Sequence, residues 1–363
     1  MVQAFRRLAV TVFLLFFVVP DSNALASTSP ESALEQADQS EQAQAAEGES
    51  DGAPIDLMGK ISDHHYLDVM GYHLELPRII LAGGQWHFYG STHAAVESGR
   101  FTEDHGALTY TGEGEIALDM SITSHLMFFW FAVGLTGLLT LMAVRRYDKG
   151  VGRETAPRGW FHNLFEITFL FVRDDIARGN IPESKYRKFL PYLFCAFVSI
   201  TFMNLFGLLP WGVTATADLT VTGTLAFMTF FLTQWNGSKD HWEHVFWFPG
   251  VPGWMRIILT PIELLGLFTK PIALAVRLFA NMLSGKIMII IVLGLIFIFA
   301  DGFGTTVGIG TSFLAVPLTV LMYVLKAFVG VLQAYIFTLL SAVFIGMAVE
   351  EHEHHDEAVE AHA

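Results

Sequence analysis

The chain has 363 residues, of which 53% are hydrophobic and 15% charged, with a formal net charge of −14. Soluble domains carry about 25% charged residues, so the composition indicates a polytopic membrane protein, and the acidic balance disfavours a nucleic-acid partner. The single cysteine, Cys195, excludes an intrachain disulfide framework and a cysteine-based metal site.

The N-terminus has the pattern of a secretory signal. Arg6 and Arg7 precede a short apolar core over 8–19, and Ala-Leu-Ala at 24–26 offers a cleavage site, so 1–26 is predicted to be a signal peptide. An uncleaved anchor helix is the alternative, and both interpretations export the segment that follows. Residues 27–54 are acidic and lack Lys and Arg, which predicts a disordered linker.

The next stretch, 55–123, alternates apolar and polar residues between glycines and polar turns, which predicts a small exported region of short strands. Asp63, His64, His65 and Asp68 are candidate metal ligands within it. Adjacent histidines point in divergent directions on a helix or a strand, so a polar surface loop is the favoured interpretation and no metal site is predicted.

The remainder, 124–349, is predicted to be an all-α membrane domain of about five helices. The predicted spans are 124–144, 189–209, 218–235, 254–300 and 313–349. Basic residues mark the end of the first span as cytoplasmic, namely Arg145, Arg146, Lys149, Arg153 and Arg158. An amphipathic helix over 160–181 is predicted to lie on that surface. The tail, 350–363, is acidic and His-rich and is predicted to be cytoplasmic and solvated.

The last two spans are too long for upright crossings. The 47 residues of 254–300 would extend about 70 Å as a helix, against a hydrocarbon core of about 30 Å. This helix is therefore expected to be steeply tilted, kinked or broken. The segments beside it, 236–253 and 302–312, are predicted to be a polar cytoplasmic loop and a Gly/Thr turn.

Helical phase, at 100° per residue, groups the polar residues of these two spans. One stripe contains Glu263, Lys270, Arg277, Asn281 and Ser284. A second set contains Lys286, half a turn away from Arg277, together with Lys326 and Gln333 on the last span and Asn204 as a further candidate. Ionisable groups in a membrane usually face a bundle interior or a water path. Two polar environments on opposite sides of one helix are what a proton route interrupted by a barrier requires.

Simpler interpretations remain open for several of these residues. Lys286 and Lys270 could extend to the two membrane surfaces, and Gln333 could hydrogen-bond between helices. Arg277 could pair with an acid of this chain, but Glu263, the one candidate on its face, lies about 21 Å along the helix. The counter-charge of Arg277 is therefore expected on another chain.

Four stretches closely resemble subunit a of the F-type ATP synthase over about two-thirds of the chain. They read FTKPIALAVRLFANMLSGK around Arg277, VLQAYIFTLLSAVFIGMAVEEH around Gln333, MNLFGLLP and TADLTVT. The resemblance implies a non-catalytic, cofactor-free subunit of the bacterial inner membrane. Its implied partners are the c-subunit ring, the peripheral-stalk b subunits and the rest of the complex.

The resemblance also implies residue roles. Arg277 would face the ring, favour the ionised form of the ring carboxylate opposite it, and block direct passage between two half-channels. Asn281 would flank the arginine, Gln333 would pack close to it, and Glu263 would lie towards the cytoplasmic half-channel.

The chain departs from the family pattern at two positions. Many bacterial members have Glu at the position of Lys286 and His at that of Lys326, and mitochondrial members have His and Glu. A lysine relays protons only where burial favours its neutral form. Water, Asn204 or histidines of the exported region are the alternatives for the outer route. An anion permease that binds its substrate at Arg277 is the competing function, and it predicts a closed pocket within this chain and internal repeats.

Overall fold

The computed structural model describes residues 66–69, 72–104, 107–112, 116–148, 159–209, 212–246 and 253–350. The predicted signal peptide, linker, Asp63, His64 and His65 lie outside these ranges. So do Lys149, Arg153 and Arg158, and all of the predicted tail except Glu350.

The N-terminal β region consists of short antiparallel strands and one helix. Its strands are β1 (Tyr66–Val69), β2 (Tyr72–Glu75), β3 (Arg78–Ala82), β4 (Gln85–Tyr89), β5 (Phe101–Asp104), β6 (Ala107–Tyr110) and β7 (Ile116–Asp119), and α1 is Thr92–Glu97. β1 pairs with β2, β5 pairs with β6, and β3 lies between β4 and β7. A small core centred on Ile80 and Phe101 holds the region together.

This region is joined directly to the first membrane helix. The backbone N–H groups of Met120 and Ile122 donate to the carbonyl groups of Ile79 and Pro77, which extends the pairing beyond the end of β7. Helix α2 (Ser124–Asp148) begins two residues later. The sheet is thus attached to the end of α2 without a flexible linker.

The membrane domain is helical. After α2 come α3 (Trp160–Phe171), a π-helical turn (Val172–Ala177), a last α-turn (Arg178–Asn180), α4 (Tyr186–Phe206) and a 3-10 turn (Ala215–Ala217). They are followed by α5 (Leu219–Trp235), α6 (Lys239–Phe246), α7 (Gly253–Phe303) and α8 (Thr305–Val349). Among the described helices, α2, α4, α7 and α8 are long and apolar enough to cross a membrane. The third predicted span, 218–235, corresponds to α5, which has 17 residues.

Helices α7 and α8 contain 51 and 45 residues and are separated by a single residue. The prediction of a turn over 302–312 was therefore wrong. Gly304 alone breaks the helix, with φ of 92°, a conformation that favours glycine. The hydroxyl groups of Thr311 and Ser312 donate to the carbonyl groups of Val307 and Ile309, so these polar residues are satisfied inside α8.

Two further boundaries differ from the predictions. The segment predicted as a loop over 236–253 contains α6, whose first turn is capped by the Ser238 hydroxyl accepting from the His241 N–H at 3.1 Å. Helix α4 also begins at Tyr186 and ends at Phe206, three residues earlier at each end than the predicted span. Its polar first turn is built into the bundle, because Tyr186 is only 5% exposed.

The core of the membrane domain lies around α4, the most buried of the four long helices. Phe189, Leu193 and Ile200 of α4 are almost fully buried against neighbouring helices. Helix α7 places Leu274 and Leu278 in the same core. Its other side is exposed, and this division of α7 into two faces positions the candidate site.

Candidate functional site

Arg277 lies on the exposed face of α7. The residues beside it in helical phase, Leu274 and Leu278, are buried, whereas Val276 and Arg277 are exposed. Within the described part of the chain, Arg277 has no ion pair or hydrogen bond to an acid. A guanidinium is always charged, and holding it mid-bilayer costs between roughly 3 and 17 kcal/mol. The chain leaves this charge available to a partner.

Asn281, one turn after Arg277, connects the exposed face to the helix interface. It is half-buried, and its Nδ2 donates to Oε1 of Gln333 on α8 at 3.3 Å. Gln333 is 5% exposed, and its Nε2 has no hydrogen-bond partner in the described structure. The prediction grouped Gln333 with Lys286 and Lys326, but its contact is with the Arg277 stripe. Its long amide reaches from the α8 interface to the edge of the α7 face.

Asn204 forms a buried junction between α4, the 3-10 turn and α8. Its Nδ2 donates to the carbonyl of Gly330 at 2.8 Å, and its Oδ1 accepts from the Thr216 hydroxyl at 2.7 Å. The two helices are close here, because a Cβ on Gly330 would lie 3.1 Å from the Cβ of Asn204 and would have to displace it slightly. Thr216 begins the TADLTVT stretch, but it was not predicted as a site residue, since no helical phase could be assigned to a threonine in a loop.

Lys326 lies one helical turn before Gly330, and its aliphatic chain passes over Gly285. A Cβ on Gly285 would lie 3.2 Å from Cε of Lys326. Lys286 is the next residue along α7, and the two ammonium groups repel each other electrostatically. We therefore group Lys286 and Lys326 in one polar region with Asn204, which lies on another helix and bonds to Gly330, one turn from Lys326. Ser284, predicted on the Arg277 stripe, is exposed and donates to the Asn281 carbonyl at 3.2 Å.

A second polar region lies towards the other end of α7, around a cavity of about 190 Å³. Glu263 and Lys270 line it from α7, so two members of the predicted stripe share one site. The remaining polar lining comes from three other elements: Thr229, Thr233 and Gln234 of α5, Asp240, His241 and His244 of α6, and Glu350 at the end of α8. The residues on α6 were missed because their segment was predicted to be a loop.

The α6 wall of this cavity is held in place by hydrogen bonds. The Ser238 N–H donates to the Ala348 carbonyl at 2.8 Å, and its hydroxyl donates to the Glu350 carbonyl at 3.0 Å. His241 Nε2 lies 3.2 Å from Oε1 of Gln234. The described residues contain no group of three or more His, Cys, Asp or Glu able to hold a metal ion.

Arg277 thus lies between two polar regions along one helix. At 1.5 Å per residue, Glu263 is about 21 Å from it on one side and Lys286 about 13 Å on the other. The sequence matches the family model of the ATP synthase A chain over residues 126–346. The chain belongs to this family. The match covers α2 to α8, whereas the β region lies outside it.

Curated relatives agree with this assignment. An ATP synthase subunit a of Anaeromyxobacter sp. (strain Fw109-5) is 38% identical over 83% of this chain and 73% of the relative. Subunit a of Myxococcus xanthus is 39% identical over 75% and 86%, and that of Anaeromyxobacter dehalogenans (strain 2CP-C) is 37% identical over 92% and 81%. The chain is therefore a non-catalytic membrane subunit of a bacterial ATP synthase, in the family that provides its proton channel. The predicted family and the predicted all-α membrane fold are confirmed.

Proposed function

We propose that the chain forms two offset half-channels for protons against a ring of c subunits, with Arg277 as the barrier that separates them. The observation that supports this most directly is the position of Arg277. It is an exposed charge on a membrane helix, without an acidic partner in the described chain. It lies between two polar regions whose nearest α7 residues, Lys270 and Lys286, are about 24 Å apart by helical rise.

The outward half-channel is proposed to contain Asn204, Lys286 and Lys326, and the cytoplasmic one to contain Glu263 and Lys270. A ring of c subunits, each with one membrane carboxylate, is the proposed partner of the exposed α7 face. A carboxylate opposite Arg277 is favoured in its ionised form by the adjacent cation. A proton therefore enters the ring on one side of Arg277, travels round with it, and leaves on the other side.

Asn281 and Gln333 support the arginine in this arrangement. Their hydrogen bond joins α7 to α8 close to Arg277, so the exposed face keeps a fixed position against a moving ring. The anion permease is disfavoured because it requires Arg277 in a closed pocket within this chain, whereas Arg277 lies on the exposed face of α7. We place the N-terminal β region outside the inner membrane and the end of α8 at the cytoplasmic surface, where the peripheral-stalk b subunits and the remaining subunits complete the complex.

The decisive experiment is Arg277→Ala in the whole complex, assayed as proton-driven ATP synthesis in membrane vesicles. Synthesis should be lost, because protons can then pass between the half-channels without turning the ring. Val276→Ala is the matched control, since Val276 is the adjacent exposed side chain on the same helix. Normal synthesis by the Arg277 variant would refute the proposal.

The ring contact can be tested separately by cross-linking. With Cys195 replaced by Ser, a cysteine at position 276 should cross-link to a cysteine beside the carboxylate of the c subunit. A cysteine at position 278, on the buried face of α7, should not cross-link. The same yield at both positions would show that the exposed face does not meet the ring.

A further inference from the structure

The cavity beside Glu263 is lined by the imidazole of His241, which has no role in the half-channels proposed above. His241 is half-buried in the cavity wall, on α6, outside the membrane-spanning helices. Its backbone N–H is bonded to Ser238, which is in turn bonded to the end of α8, and its ring is bonded to Gln234 of α5. The contact with Gln234 holds the ring itself, and the bonds through Ser238 hold the backbone that carries it.

The hydrogen bond to Gln234 determines which ring nitrogen is free. The Gln234 Oε1 atom is an acceptor only, so Nε2 of His241 carries a hydrogen and donates to it. In the neutral imidazole, Nδ1 then has a lone pair and can accept a proton. His241 is therefore held as a proton acceptor by its contact with α5.

The charges around His241 also favour its neutral form. The titratable groups that line the cavity with it are Asp240 and His244 of α6, Glu263 and Lys270 of α7, and Glu350. Burial lowers the pKa of His241 below its usual range, and the positive charge of Lys270 lowers it further. Glu263 acts in the opposite direction, and His244 makes a smaller contribution that also lowers the pKa.

The cavity provides a path from the membrane helix to the solvent. Its volume of about 190 Å³ has room for several water molecules. Glu263 lines the cavity from α7 and is half-buried, whereas His244 and Glu350, which also line it, are exposed. His241, which lines the cavity from α6, is also half-buried.

We propose that His241 is the proton acceptor of this cavity, taking the proton that leaves the Glu263 carboxyl and releasing it to water at the exposed edge. In the first step the O–H bond of Glu263 breaks and an N–H bond forms at Nδ1 of His241, leaving a carboxylate and an imidazolium. In the second step the imidazolium gives this proton to water and becomes neutral again. The inference rests on the proposed function, because it requires protons to reach Glu263.

His241→Gln tests this role, because glutamine can keep the hydrogen bond to Gln234 but cannot take up a proton. ATP synthesis driven by an imposed proton gradient is measured in vesicles containing the whole complex, over a range of cytoplasmic-side pH. The rate is divided by the wild-type rate at each pH, which cancels the pH dependence of the catalytic sector. The ratio should be several-fold below 1 where wild-type His241 is neutral, above about pH 7. It should rise towards 1 at lower pH, where the wild-type imidazole is already protonated.

Gln234→Glu provides a second test that keeps the imidazole. A carboxylate beside the ring stabilises the imidazolium, so His241 should stay protonated up to a higher pH in this variant. As the pH falls, the variant should therefore lose activity at a higher pH than wild type does. His93→Gln is the control, because His93 is an exposed histidine of the β region, and its ratio should stay at 1.

A ratio for His241→Gln that is lowered equally at every pH would indicate a purely structural role and would overturn the proposal. If that variant does not assemble, an unchanged pH profile for Gln234→Glu would overturn it instead. The proposed function is judged by Arg277→Ala and not by these ratios, so the two failures can be distinguished.

Discussion

Asn281 and Gln333, 52 residues apart in the chain, are joined by a hydrogen bond of 3.3 Å between the two longest helices. The bond lies one turn from Arg277 and connects the exposed face of α7 to the buried face of α8. It links the candidate barrier to the helix bundle.

This link should appear as a coupling free energy. We expect Asn281→Ala and Gln333→Met each to lower the heat resistance of the purified complex, and the double variant to lose less than the sum of the two. The difference should be about 0.5–1.5 kcal/mol, the net value of one hydrogen bond. Thr269→Ala combined with Gln333→Met is the control and should be additive, because Thr269 is exposed and bonds only within α7. Additivity for the Asn281 pair would mean that the bond does not contribute.

Gly346 of α8 should not tolerate a side chain. A Cβ at this position would collide with the backbone carbonyl of Asn180, where the surface helix meets α8. We expect Gly346→Ala to destabilise the subunit by about 1–3 kcal/mol, the usual cost of overpacking. The measurement is the melting temperature of the complex together with the amount assembled.

Gly310→Ala is the matched change on the same helix, because a Cβ there meets nothing within 4 Å. It should stabilise α8 slightly, since alanine favours a helix over glycine by up to about 1 kcal/mol. Equal effects of the two substitutions would contradict the close packing at Asn180.

Lys286 and Lys326 should oppose each other in the folded chain. Because their like charges repel, Lys286→Met should raise the heat resistance of the complex, and the gain should largely vanish when Lys326 is already Met. Coupling between neighbouring groups is typically about 0.5–3 kcal/mol. Lys239→Met, at an exposed position on α6, should give the same small effect with either residue at position 326. Loss of stability in the Lys286 variant would show that the lysine has a stabilising partner that outweighs the repulsion.

The π-helical turn should loosen in acid. Hydrogen bonds from Arg173 hold the pKa of Asp174 below its usual range, with a smaller contribution from Arg178. The folded pKa is the lower one, so the stabilisation is present above the unfolded pKa of about 3.9 and is lost as the pH falls through the folded value. Hydrogen exchange over 172–180, expressed at each pH relative to the intrinsic rate of an unprotected amide, should therefore become faster below about pH 4.

Asp174→Asn should show the faster exchange already at neutral pH and no further acceleration in acid. Asp175→Asn is the control, because Asp175 is exposed and has no ion pair in the described structure. An identical acid response in wild type and Asp174→Asn would assign the effect to another group.

Helical phase predicted the polar grouping well where side chains are short or lie centrally on a face. It placed Lys286 half a turn from Arg277 and grouped it with Lys326, and in the structure the charge of Lys286 acts on Lys326. It placed Gln333 in the wrong group because a long amide at the edge of a face can reach either side. Phase gives the direction of a Cβ, not the position of an atom three bonds further out.

Other features depend on contacts between distant segments. The turn over 302–312 was wrongly predicted because Thr311 and Ser312 satisfy their hydroxyl groups within the helix, which composition does not reveal. The α6 helix could have been found from Ser238 followed by Asp240, an N-cap with an acid in the first turn. The cavity could not, because α5, α6, α7 and α8 all contribute to it.

The end of α8 is fastened through its main chain. Ser238 donates to the carbonyl groups of Ala348 and Glu350, and Nζ of Lys185 donates to that of Val349 at 3.0 Å. Every residue type has this acceptor, so these three hydrogen bonds do not depend on the side chains at 348–350. The attachment of the end of α8 through these bonds therefore depends on two positions, Ser238 and Lys185. A reporter protein fused beyond Glu350 would be attached to a fixed point of the subunit.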